Sequence, residues 1–130
     1  MTAYDDEYRR QVRRWSEVVE EVERSYDATI DDYTNDLCLR DHIEGWVQGA
    51  DPEERDRRRA EVEALDQRFT LATVEDVNGE LAHYFRIDRR AGWWWKRIPA
   101  QGDLADYLRE MAAEREPTAP GRIRRMLGGS

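Results

Sequence analysis

The densest group of side chains capable of chemistry lies between residues 27 and 44. Asp32 and Asp36 are four residues apart, and Asp41, His42 and Glu44 follow them. Carboxylate oxygens in such a group could hold Mg²⁺ or Ca²⁺. The EF-hand spacing is absent, because no glycine occupies the turn position and no glutamate closes the loop in register. We therefore expect a solvated or internally paired acidic face that holds no metal or other cofactor.

Nucleophilic and zinc chemistry find less support. The single cysteine, Cys38, lies between Leu37 and Leu39, which predicts a buried structural residue rather than a reactive thiol. His42 and His83 are far apart, and no HExxH, HxH or CxxC motif is present. The chain also lacks a nucleotide-binding glycine loop, a GxSxG elbow and a kinase signature. No catalytic residue is assigned, and the sequence favours a protein that is not an enzyme.

A basic segment rich in tryptophan is the second candidate. Residues 81–101 carry five basic side chains and one acidic one. Their alternation predicts an antiparallel hairpin with strands at 81–87 and 93–98. One face of this hairpin is predicted to join the core, and it carries Phe85, Ile87, Trp93 and Trp95. The other face carries an aromatic pair beside two cations, namely Tyr84, Arg86, Trp94 and Lys96.

The second face of the predicted hairpin has the composition of a protein-binding hot spot. It also resembles a stacking platform for single-stranded nucleic acid. Coverage by a neighbouring helix is the alternative to both functions, and it would bury Trp94 instead of presenting it to a partner.

Charge separates the chain into an acidic body and this basic segment. The net charge is −8, with six basic and thirteen acidic residues in 1–50 and five and ten in 51–80. Such a balance disfavours binding to nucleic acid or to anionic lipid, because a phosphate-binding surface needs a basic footprint. We expect the basic segment to dock against part of 1–50. The acidic helices, through Glu53 and Glu54, are then expected to face a basic partner protein.

Periodicity predicts the helices that position these groups. Apolar residues at alternating steps of four and three predict a helix over 5–26 whose seam packs into the chain's own bundle, with pairing to a second copy as the alternative. Two short helices, 29–35 and 39–48, are expected around the helix-interrupting run Thr34, Asn35 and Asp36. The heptad seam comprises Tyr8, Val12, Trp15, Val19, Val22 and Tyr26.

A third helix is predicted over 51–70, with Asp51 as its cap, Pro52 in its first turn and Glu54 completing a capping box. Its first turns, Glu53 to Arg59, lack large apolar side chains and are expected to project into solvent. A last helix is expected to start at Gly102 and Asp103. Residues predicted to be largely buried are Trp15, Val19, Val22, Phe69, Phe85, Trp95 and Leu108.

Together these patterns predict a mostly helical α+β fold. Four to five helices would pack around one antiparallel β-hairpin in the order α-α-α-α-β-β-α. Residues 1–116 are expected to form a single globular domain, followed by a linker and a flexible basic tail at 117–130. The charged N-terminus lacks the apolar region of a signal peptide, and no run is long enough to span a membrane, so we expect a cytoplasmic protein.

The favoured function is a non-enzymatic acidic interaction module, specifically an inhibitor of a basic protein. Immunity proteins and antitoxins share this small, acidic, aromatic-rich composition, which is an analogy of composition and not of motif. Two alternatives stay open. One is a small enzyme that uses the carboxylates of residues 27–44, and the other is an inhibitor that mimics nucleic acid. The protein is expected to be a monomer, or a homodimer formed through the first helix.

Overall fold

The computed structural model describes residues 3–85 and 92–115. Within these residues five α-helices accompany one antiparallel two-stranded sheet, so the predicted mostly helical α+β class is confirmed. A short 3₁₀ helix, Trp93–Lys96, precedes the second strand. The elements, in chain order, are α1 Ala3–Arg24, α2 Ile30–Gln48, α3 Pro52–Leu71, β1 Thr73–Glu75, α4 Glu80–Tyr84, β2 Arg97–Pro99 and α5 Asp103–Arg115.

Helix α1 supplies the central surface of the core. Its predicted seam is buried, except that Val12 is half-buried, and α1 packs against both α2 and α3. The seam is therefore satisfied within the chain, as the bundle interpretation predicted. Of the other residues predicted to be largely buried, Phe85 is only half-buried, stacked on Trp95 with ring centroids 5.1 Å apart. Trp93 was predicted on the same core face, but it is 40% exposed, so that prediction was wrong.

Helix α2 is one continuous helix, so the two short helices predicted at 29–35 and 39–48 were wrong. Thr29 and Asp32 form a reciprocal capping box at its start. The hydroxyl of Thr34 donates to the carbonyl oxygen of Asp31 (3.0 Å), inside the helix, and does not interrupt it. Leu37 and Leu39 lie on different faces of α2, since residues two apart in a helix differ by about 200°. Both faces are nevertheless covered, because α2 packs against several neighbours.

The two antiparallel strands exist, but they were predicted at the wrong positions, and helix α4 and the 3₁₀ helix lie between them. Strand β1 pairs with β2 in the register Thr73↔Pro99 and Glu75↔Arg97. The segment predicted as the first strand instead begins with helix α4. The carboxylate of Asp76 explains this start, because it accepts the backbone N–H groups of Glu80 and Leu81 (both 2.9 Å).

The segment predicted as the second strand begins as the 3₁₀ helix for a comparable reason. The indole N–H groups of Trp94 and Trp95 both donate to Oδ1 of Asp41, each over 2.8 Å. Consecutive side chains on a strand point to opposite faces of the sheet and could not share one acceptor. Two tryptophans binding one carboxylate therefore require a turn of helix at this position.

Helix α3 begins as predicted, but without the predicted capping box. The side chain of Asp51 makes no cap hydrogen bond, and Glu54 binds Arg58 and Arg57 instead. Arg58 is buried, so the expectation that every residue of the first turns projects into solvent was wrong. Residues 86–91, including Arg86 and Ile87, and the predicted linker and tail at 117–130 lie outside the described residues.

Candidate protein interface

The six residues predicted to bind a partner do not form one surface. Glu53 and Glu54 lie in the first turn of α3, whereas Tyr84 ends α4 and its hydroxyl lies 3.3 Å from that of Tyr107. Trp94 and Lys96 belong to the 3₁₀ helix. Arg86 is outside the described residues.

Trp94 is buried, with 4% of its surface exposed. Its indole N–H binds Asp41, and the guanidinium carbon of Arg40 lies 4.1 Å from the centre of its ring. The alternative interpretation, in which this face is covered and Trp94 is buried, is therefore confirmed for Trp94. Trp94 serves packing, and the exposed tryptophan of this segment is its neighbour Trp93.

The contact of Trp94 with Arg40 belongs to a buried polar centre. Arg40, only 1% exposed, donates from Nε and Nη2 to the two carboxylate oxygens of Asp66 (3.0 and 2.7 Å). Trp15 donates its indole N–H to Oδ1 of the same carboxylate (3.1 Å). This centre joins α1, α2 and α3, and sequence analysis missed it because its members lie far apart in the chain. A buried Arg–Asp pair stabilises a fold only when its remaining donors and acceptors are satisfied.

Glu44 carries this network toward the surface. It accepts a hydrogen bond from Arg40 (3.2 Å) and two from Arg59 (both 2.8 Å). The hydrogen bonds from Arg59 hold the pKa of Glu44 far below its usual value, at about 2. Both arginines are thus neutralised by carboxylates of the same chain.

The other carboxylates of residues 27–44 also have separate structural roles. Asp32 caps α2, Asp41 accepts two indoles, and Asp36 accepts the hydroxyl of Tyr26 (2.6 Å). Burial raises the pKa of Asp36. Among residues 3–85 and 92–115 no three His, Cys, Asp or Glu side chains come together in a way that could hold a metal ion.

The described residues of the basic segment dock on the rest of the chain through hydrogen bonds of the indoles and of Arg97, and not through ion pairs of Lys96 or Arg97. Its indoles bind Asp41, whereas Arg97 donates to the hydroxyl of Thr73 (2.7 Å) and to the carbonyl oxygens of Thr70 and Thr73. The side chain of Lys96 is exposed. The prediction that charge pairing with residues 1–50 holds this segment is therefore not met by Lys96 or Arg97.

One surface groove combines an exposed aromatic ring, Tyr4, and the half-buried Trp46 with acidic side chains. We call it the Tyr4 groove. It lies where the start of α1, the end of α2 and the start of α3 meet, and its volume is about 480 Å³. Tyr4 is 72% exposed, and its ring centre lies 5.8 Å from that of Trp46. The groove is lined by Tyr4, Gly45, Trp46, Gly49, Ala50, Asp51, Glu54 and Arg58.

Arg58 closes the inner wall of the Tyr4 groove. Its guanidinium donates to Asp5 (3.1 Å), to Glu54 (3.0 Å) and to the carbonyl oxygen of Trp46 (2.9 Å). The same guanidinium lies 4.5 Å from the ring centre of Tyr8. Two carboxylates therefore offset its charge, and Arg58 ties the three helices together at this corner.

A second concave surface surrounds Trp93. Two grooves, of about 660 and 550 Å³, share Trp93 and Thr70 in their walls. Leu71 lines one groove and is 87% exposed, while Val77 lines the other and is also exposed. We call the surface formed by Thr70, Leu71, Val77, Trp93 and Lys96 the Trp93 surface. Of the described residues that were predicted to bind a partner, only Lys96 lies on it.

Comparisons with known proteins give no match, since no family model, curated protein or solved structure matches this chain. Within the part that the structure describes, none of the helices has the length and hydrophobicity needed to cross a bilayer. The candidate function must therefore be argued from the surfaces alone.

Proposed function

We propose that this protein is a non-enzymatic interaction module that binds a basic partner protein through the acidic surface at the start of α3. The specific form we favour is an inhibitor of that partner, of the immunity or antitoxin kind, acting in the cytoplasm. The single half-buried cysteine is compatible with a reducing compartment.

The observation that carries this proposal is the coincidence of unpaired acidic groups with an aromatic groove. Asp51 and Glu53 are exposed, and neither carboxylate has a hydrogen-bond or ion-pair partner in the described part of the chain. Many other carboxylates bind groups inside the fold, as those of Asp41, Glu44 and Asp66 do. Aromatic anchors flanked by charge are typical of interfaces in which a few residues supply affinity and charge supplies specificity.

The roles of the carboxylates at residues 27–44 also favour this function over an enzyme. Asp32, Asp36, Asp41 and Glu44 are each hydrogen-bonded to separate groups of the protein, from the cap of α2 to the Tyr26 hydroxyl, two indoles and two arginines. A general acid or base needs a reacting atom within hydrogen-bond reach. These carboxylates instead position helices and tryptophans.

The test is capture of the partner followed by association kinetics at two salt concentrations. The full chain is used as bait in a lysate of the organism that encodes it, in three forms: wild type, Glu53→Lys and Glu110→Lys. Glu110 is exposed on α5, so its reversal changes the net charge equally at a distant site. Exposed charges act mainly on the association rate, and salt screens them beyond about 8 Å at 0.15 M.

We expect a basic partner whose association is slowed by Glu53→Lys much more than by Glu110→Lys, with a flatter salt dependence and a nearly unchanged dissociation rate. An acidic partner would contradict the proposal. Equal effects of the two reversals would also contradict it, because they would show that only the net charge matters.

A further inference from the structure

The Tyr4 groove indicates which group of a basic partner is recognised. We propose that this groove receives an arginine side chain of the partner, whose guanidinium stacks on the exposed aromatic ring and pairs with Asp51. The inference rests on the proposed function and makes the partner's chemistry specific.

The aromatic side of the groove suits a planar cation. Tyr4 and Trp46 meet at an interplanar angle of 57°, so their faces do not cover each other completely, and Tyr4 is largely exposed. A guanidinium over an aromatic face gains electrostatic attraction and stacking, and arginine makes this contact more often than lysine.

The acidic side of the groove supplies the counter-charge. Asp51 stands at the cap position of α3, yet its side chain makes no cap hydrogen bond. Glu54 also lines the groove, but it is already bound to Arg58. Asp51 therefore provides the available carboxylate, and a carboxylate can accept two parallel hydrogen bonds from one guanidinium.

The fold already uses this arrangement twice for its own arginines. Arg58 lies over Tyr8 while it binds Asp5 and Glu54, and Arg40 lies over Trp94 while it binds Asp66. In each case an aromatic face and a carboxylate hold one guanidinium between them. The Tyr4 groove offers the same two components at the surface, and the donors of Arg58 at its inner wall are directed to other acceptors.

Two glycines keep the groove open. Gly45 and Gly49 line it, and a Cβ atom added at Gly45 would meet nothing within 4 Å. Larger side chains at Gly45 would therefore enter the groove without a backbone clash. Gly45 lies inside α2, where glycine is a poor helix former, so filling the groove should not weaken the helix.

The probe is a five-residue peptide, blocked at both ends, with one central arginine between glycines. Its titration is followed by nuclear magnetic resonance through the backbone amide signals of Gly45 and Gly49. A matched peptide carries citrulline, which keeps the shape of arginine and removes its charge. We expect the arginine peptide to shift both signals with a dissociation constant on the order of millimolar, and the citrulline peptide to bind at least about fivefold more weakly.

Three variants locate the binding. Gly45→Leu should keep or raise the thermal midpoint and weaken the arginine peptide at least about fivefold, whereas the smaller side chain of Gly45→Ala should weaken the peptide less. Tyr4→Ala should weaken binding about fivefold with little change in the thermal midpoint, because the side chain is mostly exposed. Equal binding of the arginine and citrulline peptides, or unchanged binding by Gly45→Leu, would overturn the inference.

The captured partner separates this inference from the proposed function. If Glu53→Lys slows association while Gly45→Leu leaves the dissociation rate of the partner unchanged, the acidic surface is used and the arginine site is refuted. If Gly45→Leu abolishes peptide binding while Glu53→Lys has no effect on the partner, the groove binds arginine and the proposed function fails. Faster dissociation with Gly45→Leu, together with slower association with Glu53→Lys, supports both.

Discussion

Replacing Asp66 should lower the free energy of unfolding far more than the loss of a single charge suggests. The side chain of Arg40 is almost wholly buried, and Asp66 satisfies two of its donors. Asp66→Asn removes the negative charge and leaves the guanidinium buried beside a neutral amide. Breaking a buried ion pair in this way costs about 3–5 kcal/mol, and the lower end is expected here because Glu44 still pairs with Arg40 over 3.2 Å. The asparagine carbonyl can still accept the indole N–H of Trp15, so the variant isolates the charge pair from the hydrogen bond.

The magnitude can be read as a shift of the urea midpoint. With a urea dependence of about 1.5 kcal/mol per molar, a loss of 3 kcal/mol lowers the midpoint by about 2 M. Unfolding should be followed by far-ultraviolet circular dichroism, since the fluorescence of tryptophan would respond to the local change itself. A loss of this size is a large share of the 5–15 kcal/mol that usually stabilises a small domain.

The chain offers a matched control on its surface. Arg68 binds Glu23 through the same two nitrogens, Nε and Nη2, over 2.9 and 2.7 Å, but both side chains are exposed. Glu23→Gln should therefore leave the urea midpoint close to that of wild type, because water screens exposed pairs. A midpoint for Asp66→Asn as close to wild type as that of Glu23→Gln would refute the idea that burial makes this pair essential.

Three further results are expected. Trp15→Ala should cost roughly 3–5 kcal/mol in urea unfolding, the usual range for a buried large aromatic, and an unchanged midpoint would show that the α1 seam is not core. Glu44 has its pKa lowered from 4.5 to about 2, so its stabilising contribution is present above pH 4.5 and is lost as the pH falls toward 2. Because the side chain is 25% exposed, we expect this acid-dependent loss of stability to be only about 1–2 kcal/mol. The loss should be absent in Glu44→Gln, and equal acid sensitivity of the two proteins would contradict this role. Asp36 has its pKa raised by burial, so its ionised form is less favourable in the fold than in the unfolded chain. Asp36→Asn should therefore lower the free energy of unfolding by under about 1 kcal/mol at pH 7. The wild-type protein should gain stability as the pH falls through the raised pKa of Asp36, and Asp36→Asn should lack this gain. A large loss of stability at pH 7 would show that the ionised form stabilises the fold.

Sequence periodicity predicted the parts of the fold that depend on local pattern. The seam of α1 and the start of α3 follow from spacing and from Pro52, and the structure has them nearly where they were predicted. Periodicity did not predict α2 as one helix, because α2 is packed on several faces and its apolar residues do not follow a single helical stripe. The class of the fold survived these local errors because the helices dominate it.

The strands and the surfaces depended on contacts that sequence spacing cannot show. Asp41 lies more than fifty residues before the two tryptophans it binds, and that contact decides that the segment coils into a 3₁₀ helix. The same contact explains why Trp93, and not Trp94, is exposed. The contact of Tyr4 with Trp46 could not be predicted from the sequence either, because the two rings meet only when α1 and α2 pack together.

The central claim is that the surface at the start of α3 is the interface. Hydrogen exchange of the backbone amides, measured on the full chain alone and in complex with its captured partner, tests this most directly. We expect slower exchange across the end of α2 and the start of α3, at residues 45–58, when the partner is bound. Protection confined to residues 70–79 and 93–97 would contradict it, and would assign the interface to the Trp93 surface.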